Sequence, residues 1–193
     1  MKITISGVSG AGKSSTAILL AEKLDYTHYS MGDLQRKLAK KHGMTTVEFS
    51  KVESKDPKYD KERDNLMKKI GQKEDNFVID AWLGAKFIPQ GINIFLDCDL
   101  DIRAKRIFKE TQKGKNTQVQ HKRESDLDYS SVEEVKESIL KKEKINRIRW
   151  IKYYDFDFKD RKNYNLVLDT TDLSIKETVD EIILNLKNNK DLT

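Results

Sequence analysis

Cysteine is almost absent from this chain of 193 residues: Cys98 stands alone, so no internal disulfide can form and the fold must come from a packed core. No apolar stretch is long enough to cross a bilayer, which excludes a membrane span and a membrane partner. The chain opens directly on a strand-like run without a signal or transit segment, so the expected setting is a reducing cytoplasm. Only three histidines are available to activate a thiol, and Cys98 follows the strand-like run at 93–97. It reads as a semi-buried structural cysteine rather than a nucleophile. The lysines form small clusters, such as Lys141-Lys142 with Lys144, instead of a long tract, and no aromatic-and-basic RNA-binding signature is present. A formal net charge of +5 is compatible with nucleic acid, an anionic surface or phosphorylated small molecules. These absences argue against nucleic acid as the partner.

What remains is a small globular chain. Charged residues make up 36% and hydrophobic ones 37%, a heavily solvated surface that still leaves the runs at 76–79 and 92–96 for a buried sheet. The length suits one domain, with room for inserted lobes.

The strongest local feature is Gly7-Val8-Ser9-Gly10-Ala11-Gly12-Lys13-Ser14, a full match to G-x-x-x-x-G-K-[ST]. It follows Lys2-Ile3-Thr4-Ile5-Ser6, which reads as a strand, and runs into residues 15–24. There Ala17, Ile18, Leu20, Ala21 and Leu24 recur at helical spacing. Strand, glycine-rich loop and helix together form a phosphate-binding P-loop. Gly7, Gly10 and Gly12 permit positive φ, so that backbone N–H groups from Gly7 to Ser15 can converge on phosphate oxygens. The helix N-terminus adds its partial positive charge. Lys13 reaches toward the β- and γ-phosphates, and the Ser14 hydroxyl is placed for Mg²⁺. Nucleotides are the partner that needs the fewest assumptions.

Elements alternate along the rest of the chain. Short strands are expected at 26–30, 77–80, 92–97 and 164–168. Helices are expected at 32–41, 46–53, 56–70, 101–109, from 132 to about 153, and at 175–186. Residues 111–128 are polar and lack hydrophobic periodicity, which predicts a mobile loop that closes over bound nucleotide. Strands separated by helices imply parallel pairing through right-handed crossovers, hence an open α/β sheet. Ligands of such sheets sit at the carboxyl ends of the strands, where the P-loop, Ser30, Asp80 and Asp97 all fall.

Four further segments carry a more specific likeness. They are Tyr29-Ser30-Met31-Gly32-Asp33-Leu34-Gln35-Arg36, Asp56-Pro57-Lys58-Tyr59-Asp60-Lys61-Glu62-Arg63-Asp64, Asp101-Ile102-Arg103-Ala104-Lys105-Arg106-Ile107 and Tyr164-Asn165-Leu166-Val167-Leu168-Asp169-Thr170. In this order and spacing, over nearly the whole chain, the sequence resembles the nucleoside monophosphate kinase group of P-loop proteins, and most closely archaeal-type cytidylate kinases. The resemblance implies a three-layer α/β/α fold with about five parallel strands. It also implies a core of 1–30, 76–110 and 160–193, an acceptor-binding lobe at about 31–75 and a lid region at about 111–155. ATP and Mg²⁺ are the implied cofactor and metal, and a monomer is expected.

Roles follow by resemblance, each beside a plainer reading. Arg36, a turn after the Ser30–Asp33 bend, can fork onto the acceptor phosphate or be a surface arginine on an amphipathic helix. Ser30 can meet the acceptor base or cap the next helix; Gly32 shares that turn, and Asp33 is either a substrate contact or a first-turn acid. Asp80 is favoured over Asp97 as the carboxylate that holds the water shell of the metal. Arg106 would lie against the adenine or pair along its helix. Asp60 and Asp64, one turn apart, would meet the acceptor or face water. Arg149, followed by Trp150, matches a lid arginine.

Departures are equally informative. Relatives carry Gly-Arg-Leu after the acid of the third strand, whereas this chain has Asp80-Ala81-Trp82-Leu83. Glu110 stands where a lid arginine is usual, and Lys142-Glu143 replaces Arg-Glu. Each lost arginine would remove transition-state stabilisation, and Arg123, Arg147 and Arg149 are the candidates to compensate. The sequence therefore predicts transfer of the γ-phosphoryl of ATP to CMP or dCMP. The alternatives are AMP or a small non-nucleotide acceptor, or a nucleotide-binding regulatory or RNA-associated protein without turnover.

Overall fold

A computed structural model of the chain describes residues 1–44, 46–53, 57–114 and 129–188. Five parallel strands, β1 (Lys2–Gly7), β2 (Thr27–Ser30), β3 (Phe77–Asp80), β4 (Ile92–Asp97) and β5 (Leu166–Asp169), form one sheet in the order β2-β3-β1-β4-β5. β1, β3 and β4 lie in the middle and are buried almost throughout; β3 and β4 accordingly read as apolar runs, whereas in β1 the buried Thr4 and Ser6 alternate with Ile3 and Ile5. β2 and β5 are the edges and carry more polar, partly exposed residues.

The helices are α1 (Lys13–Leu24), α2 (Met31–Lys41), α3 (Thr46–Glu53), α4 (Pro57–Lys73), α5 (Gly84–Phe87), α6 (Leu100–Gly114), α7 (Val132–Tyr154) and α8 (Ile175–Asn188), with a 3-10 turn at Arg161–Asn163. The main core joins Ile3, Ile5, Ile79, Ile94 and Leu96 of the sheet to Leu20 of α1 and to Val179 and Ile182 of α8. Two satellite clusters lie beside it. Leu38, Ala39 and Phe49 hold α2 to α3, while Ala104, Val135 and Ile139 hold α6 to α7. Trp150, Phe156 and Phe158 belong to the main core, so the end of α7 and the segment after it are anchored on the body of the protein.

The sheet and helix order are as expected, and the differences have local causes. α6 continues to Gly114, so residues 111–114 are helical rather than loop; the remainder of the expected loop, 115–128, lies outside the described residues. β5 begins at Leu166 instead of 164. At that end, the Asn165 side-chain Oδ1 accepts the Asn93 N–H at 2.7 Å, where a strand would use its own carbonyl. α5 went unanticipated because four residues are too few to show a period. No helix among the described residues is long and apolar enough to cross a membrane.

Candidate active site

The P-loop connects β1 to α1 at the centre of the sheet. Gly7, Gly10 and Gly12 have φ of 143°, 81° and 85°, as the motif requires. At Gly7 any side chain is excluded twice over, because a Cβ would also stand 2.2 Å from the Leu96 carbonyl oxygen. Gly12 occupies the N-cap of α1, no side chain caps that end, and no acid occupies its first turn. The first-turn donors around Lys13, Ser14 and Ser15 therefore face the loop without an internal anion to compete. Val8 and Ala11 are buried, and their N–H groups are engaged inside the protein, Val8 with the Leu96 carbonyl at 3.1 Å and Ala11 with the Val8 carbonyl at 3.3 Å.

Lys13 donates from Nζ to the Val8 carbonyl at 2.8 Å and lies 5.2 Å from the centroid of the Trp82 ring. Burial pushes its pKa down to about 8, against the pull of Asp80 and then Glu143, while Arg103 adds to the depression.

A buried ion cluster holds the loop from behind. Glu143 of α7 is 2% exposed; its Oε1 accepts the Ser9 N–H at 3.1 Å and a bond from Arg103, and its Oε2 accepts Lys159 Nζ at 2.7 Å. Arg103 of α6 also donates to the Ser9 carbonyl at 3.2 Å. Both polar groups of the Ser9 peptide are thus held by side chains from two other elements. Burial works to raise the Glu143 pKa, but the hydrogen bonds from Lys159 and Arg103, with their charges, outweigh it and the carboxyl stays below its usual range. Sequence reasoning did not single out Arg103 or Lys159, and saw Glu143 only as half of a dipeptide; nothing in a charged helix marks one glutamate in advance as buried.

The two candidate metal acids are separated by their partners. Asp97 is engaged on both oxygens, accepting the Cys98 N–H at 2.9 Å on Oδ1 and Arg161 on Oδ2. Asp80 is 7% exposed, and its buried Oδ1 has no hydrogen-bond partner, with His28 Nε2 standing off at 3.7 Å. An orphaned carboxylate oxygen beside the P-loop fits a hydrated Mg²⁺, which needs only one or two protein oxygens; the Ser14 hydroxyl is the second candidate.

Arg106 has its edge fully occupied. One Nη donates to the carbonyls of Thr170, Thr171 and Leu173 at 2.8, 3.1 and 3.2 Å, and the other to Cys98 Sγ at 3.4 Å. The guanidinium is thereby pinned to the β5–α8 loop. Cys98 is buried beneath it, in keeping with a structural thiol.

On the opposite side, register places the acceptor turn. Ile5 of β1 pairs with Asp80 of β3, and Asp80 pairs with Ser30 of β2. Ser30 Oγ accepts the Asp33 N–H at 3.3 Å, so it caps α2. Arg36 folds back along the first turn, paired with Asp33, and its guanidinium lies close above Gly32, where a Cβ would come within 3.6 Å of it. Behind it, the buried Glu53 accepts Gln35 and, at 3.0 Å, Arg63 of α4; this support went unremarked in the sequence. Asp64 does not face water: it is buried and accepts the Tyr154 hydroxyl from the end of α7. The side chain of Asp60, and the whole of Arg123, lie outside the described residues. Arg147 is pinned to Asp157 through Nε at 2.9 Å and Nη2 at 2.5 Å. Arg149 lies over the Trp150 ring at 5.8 Å and acts on the charge of Lys142.

The likeness to known proteins agrees with this arrangement. The sequence pattern described as the Cytidylate kinase-like family matches residues 2–172. A protein of Sulfolobus acidocaldarius named cytidylate kinase is 34% identical, over 100% of this chain and 97% of its own. One of the same name from Archaeoglobus fulgidus is 32% identical, over 95% of this chain and 93% of its own. Among solved structures, shikimate kinase from Bacteroides thetaiotaomicron covers 97% of this chain and 98% of its own, with a TM-score of 0.66 at 16% identity, and so speaks to the P-loop fold. Pattern and relatives together cover both the phosphate loop and the acceptor turn, and the chain belongs to the cytidylate kinase-like family of nucleoside monophosphate kinases.

Proposed function

We propose that this kinase transfers the γ-phosphoryl group of ATP, in the presence of Mg²⁺, to CMP or dCMP. The observation that carries the reading is the register at the carboxyl ends of three adjacent strands. Ile5 two residues before the P-loop, Asp80, and Ser30 at the start of the acceptor turn stand side by side. On this reading donor phosphates, metal acid and acceptor arginine would share one edge of the sheet. The names borne by the relatives point to the cytidine base.

An acceptor phosphate is already anionic, so its oxygen can attack the γ-phosphorus without a general base, while the bond from that phosphorus to the β-phosphate oxygen breaks and ADP leaves. The protein's task is to position and neutralise. P-loop N–H groups and Lys13 would hold the donor phosphates, and Arg36 the acceptor phosphate. Arg106 would offer its face to the adenine, and Arg149 would add charge from α7. Ser14 and Asp80 would hold Mg²⁺, which when bound neutralises charge on the donor phosphates.

A second reading, an acceptor other than a cytidine nucleotide, has one specific observation in its favour: the indole of Trp82 occupies the end of β3 beside Lys13. ADP formation from Mg·ATP with CMP, dCMP, UMP, AMP, GMP and shikimate distinguishes the readings. Turnover confined to CMP and dCMP supports the first, and turnover on another acceptor alone replaces it.

A further inference from the structure

Trp82 gathers cations. Its ring centroid is 5.2 Å from the Lys13 ammonium of the P-loop and 5.7 Å from the Lys142 ammonium of α7. The ring is itself fixed, at 5.3 Å from Trp150 and 4.8 Å from Phe158, both deeply buried. Two like charges from distant parts of the chain are thus brought to one aromatic side chain, and the charge of Lys13 adds to the cost of charging Lys142.

A carboxylate between two such lysines would be the usual remedy, but it would also repel an incoming phosphate and compete for both ammoniums. An indole attracts cations through its quadrupole without carrying a negative charge. The two carboxylates nearby are otherwise placed: Glu143 is saturated by Ser9, Arg103 and Lys159, and Asp80 sits at the metal position. An anion arriving in front of the P-loop therefore meets two cations that already lie against one neutral ring.

We propose that Trp82 is a positioning residue that holds Lys13 and Lys142 side by side for the phosphoryl group in transfer, so that Lys142 supplies a second cation to that group. This rests on the phosphotransfer reading above. A tryptophan that merely filled the core would affect stability, and its loss would slow every step alike or none.

The test compares Trp82→Leu, Trp82→Phe, Lys142→Ala, Lys142→Arg and the double variant Trp82→Leu/Lys142→Ala. Steady-state kcat and KM are measured for each, along with ¹⁹F NMR of protein labelled with 5-fluorotryptophan. With two tryptophans in the chain, Trp82→Phe assigns the spectrum. Trp82→Leu should lower kcat about tenfold, more than it changes either KM, and Trp82→Phe should lower it less, because a phenyl face still attracts a cation. Lys142→Arg should recover most of what Lys142→Ala loses. The double variant should be slower than Lys142→Ala by less than the factor that Trp82→Leu costs on its own, because only the Lys13 contact is left for it to lose. Lys142→Ala should also move the Trp82 resonance without nucleotide, and ATP alone should move it in the unaltered protein. Multiplying effects of the two single changes, or a Trp82 resonance unmoved by Lys142→Ala, would overturn the proposal. Should Trp82→Leu fail to fold, the phenylalanine and lysine variants and the resonance still decide it. Should the unaltered protein transfer phosphate to no monophosphate, the kinase reading fails, while the resonance still reports whether the ring holds Lys142.

Discussion

The donor and acceptor sides of this site are built from different materials. On the donor side the proposed phosphate contacts are mostly backbone N–H, from a loop shaped by three glycines of positive φ and from the first turn of α1, while the N–H groups of Val8 and Ser9 are taken by the Leu96 carbonyl and by Glu143. On the acceptor side the proposed contacts are side chains from separate elements: Arg36 of α2, paired with Asp33, and Lys142 of α7, whose ammonium lies against the ring of Trp82 after β3. A backbone site tolerates little variation, since adding one Cβ at Gly7 would collide with Leu96. A side-chain site can be rebuilt from other residues, and here an indole with a lysine stands where the family pattern has arginines. The Glu143 cluster joins the two sides, because its carboxylate sits on α7 but fixes the P-loop peptide of Ser9.

The comparison can be broken most forcefully at its metal. Asp80→Asn should lower turnover roughly 100-fold, as loss of a key electrostatic group at a transfer site does, while ATP binding without Mg²⁺ changes little. Equal losses with and without metal would assign Asp80 to folding instead. Next comes the join. Glu143→Gln leaves Arg103 and Lys159 buried against a neutral amide and should cost about 3 kcal/mol, a fall in Tm of roughly 6–12 °C for a domain of this size. Calorimetry showing no change would mean that the cluster does not hold the loop.

Arg36→Ala sharpens the division between sides. It removes a charge-assisted contact to the acceptor of about 2 kcal/mol, so KM for the monophosphate should rise on the order of 30-fold with KM for ATP nearly constant. Parallel rises in both would blur the boundary drawn here. Tyr154→Phe deletes the bond that ties α7 to Asp64 and should cost about 1.5 kcal/mol, seen as a Tm lower by roughly 3–6 °C.

A further effect is with pH. Burial, with the charge of Lys13 acting in the same sense, holds Lys142 at about 8 in the folded protein, against 10.5 ordinarily. Below pH 8 the lysine is charged in both folded and unfolded chains and the folded state bears the full penalty. Between pH 8 and 10.5 the folded protein releases the proton first, so nucleotide-free stability contributed by this group rises with pH. Lys142→Met should flatten that part of the stability curve.

Most of the fold was legible in the sequence because buried central strands announce themselves. β3 and β4 were located to the residue, since their apolar runs are short and sharply bounded. Edges were less certain: β5 starts two residues late because an asparagine side chain replaces a backbone partner there. The P-loop was legible for the same reason that it is rigid, its residues being consecutive. Asp80 could be preferred to Asp97 by resemblance, but the physical distinction, one carboxylate saturated by Arg161 and Cys98 and the other with an orphaned oxygen, exists only in three dimensions. Glu143, Arg103 and Lys159 were invisible as a group because 40 and 16 positions separate the partners. Arg147, counted as a compensating arginine, is occupied by Asp157; Trp82 was noticed as a missing arginine before its ring could be seen to hold two lysines.

The most direct test of the account is ADP formation from Mg·ATP with CMP and dCMP against UMP, AMP and GMP, run beside Lys13→Ala. Transfer to CMP or dCMP that disappears in the lysine variant is the predicted result. ATP binding without transfer to any of the five would contradict it.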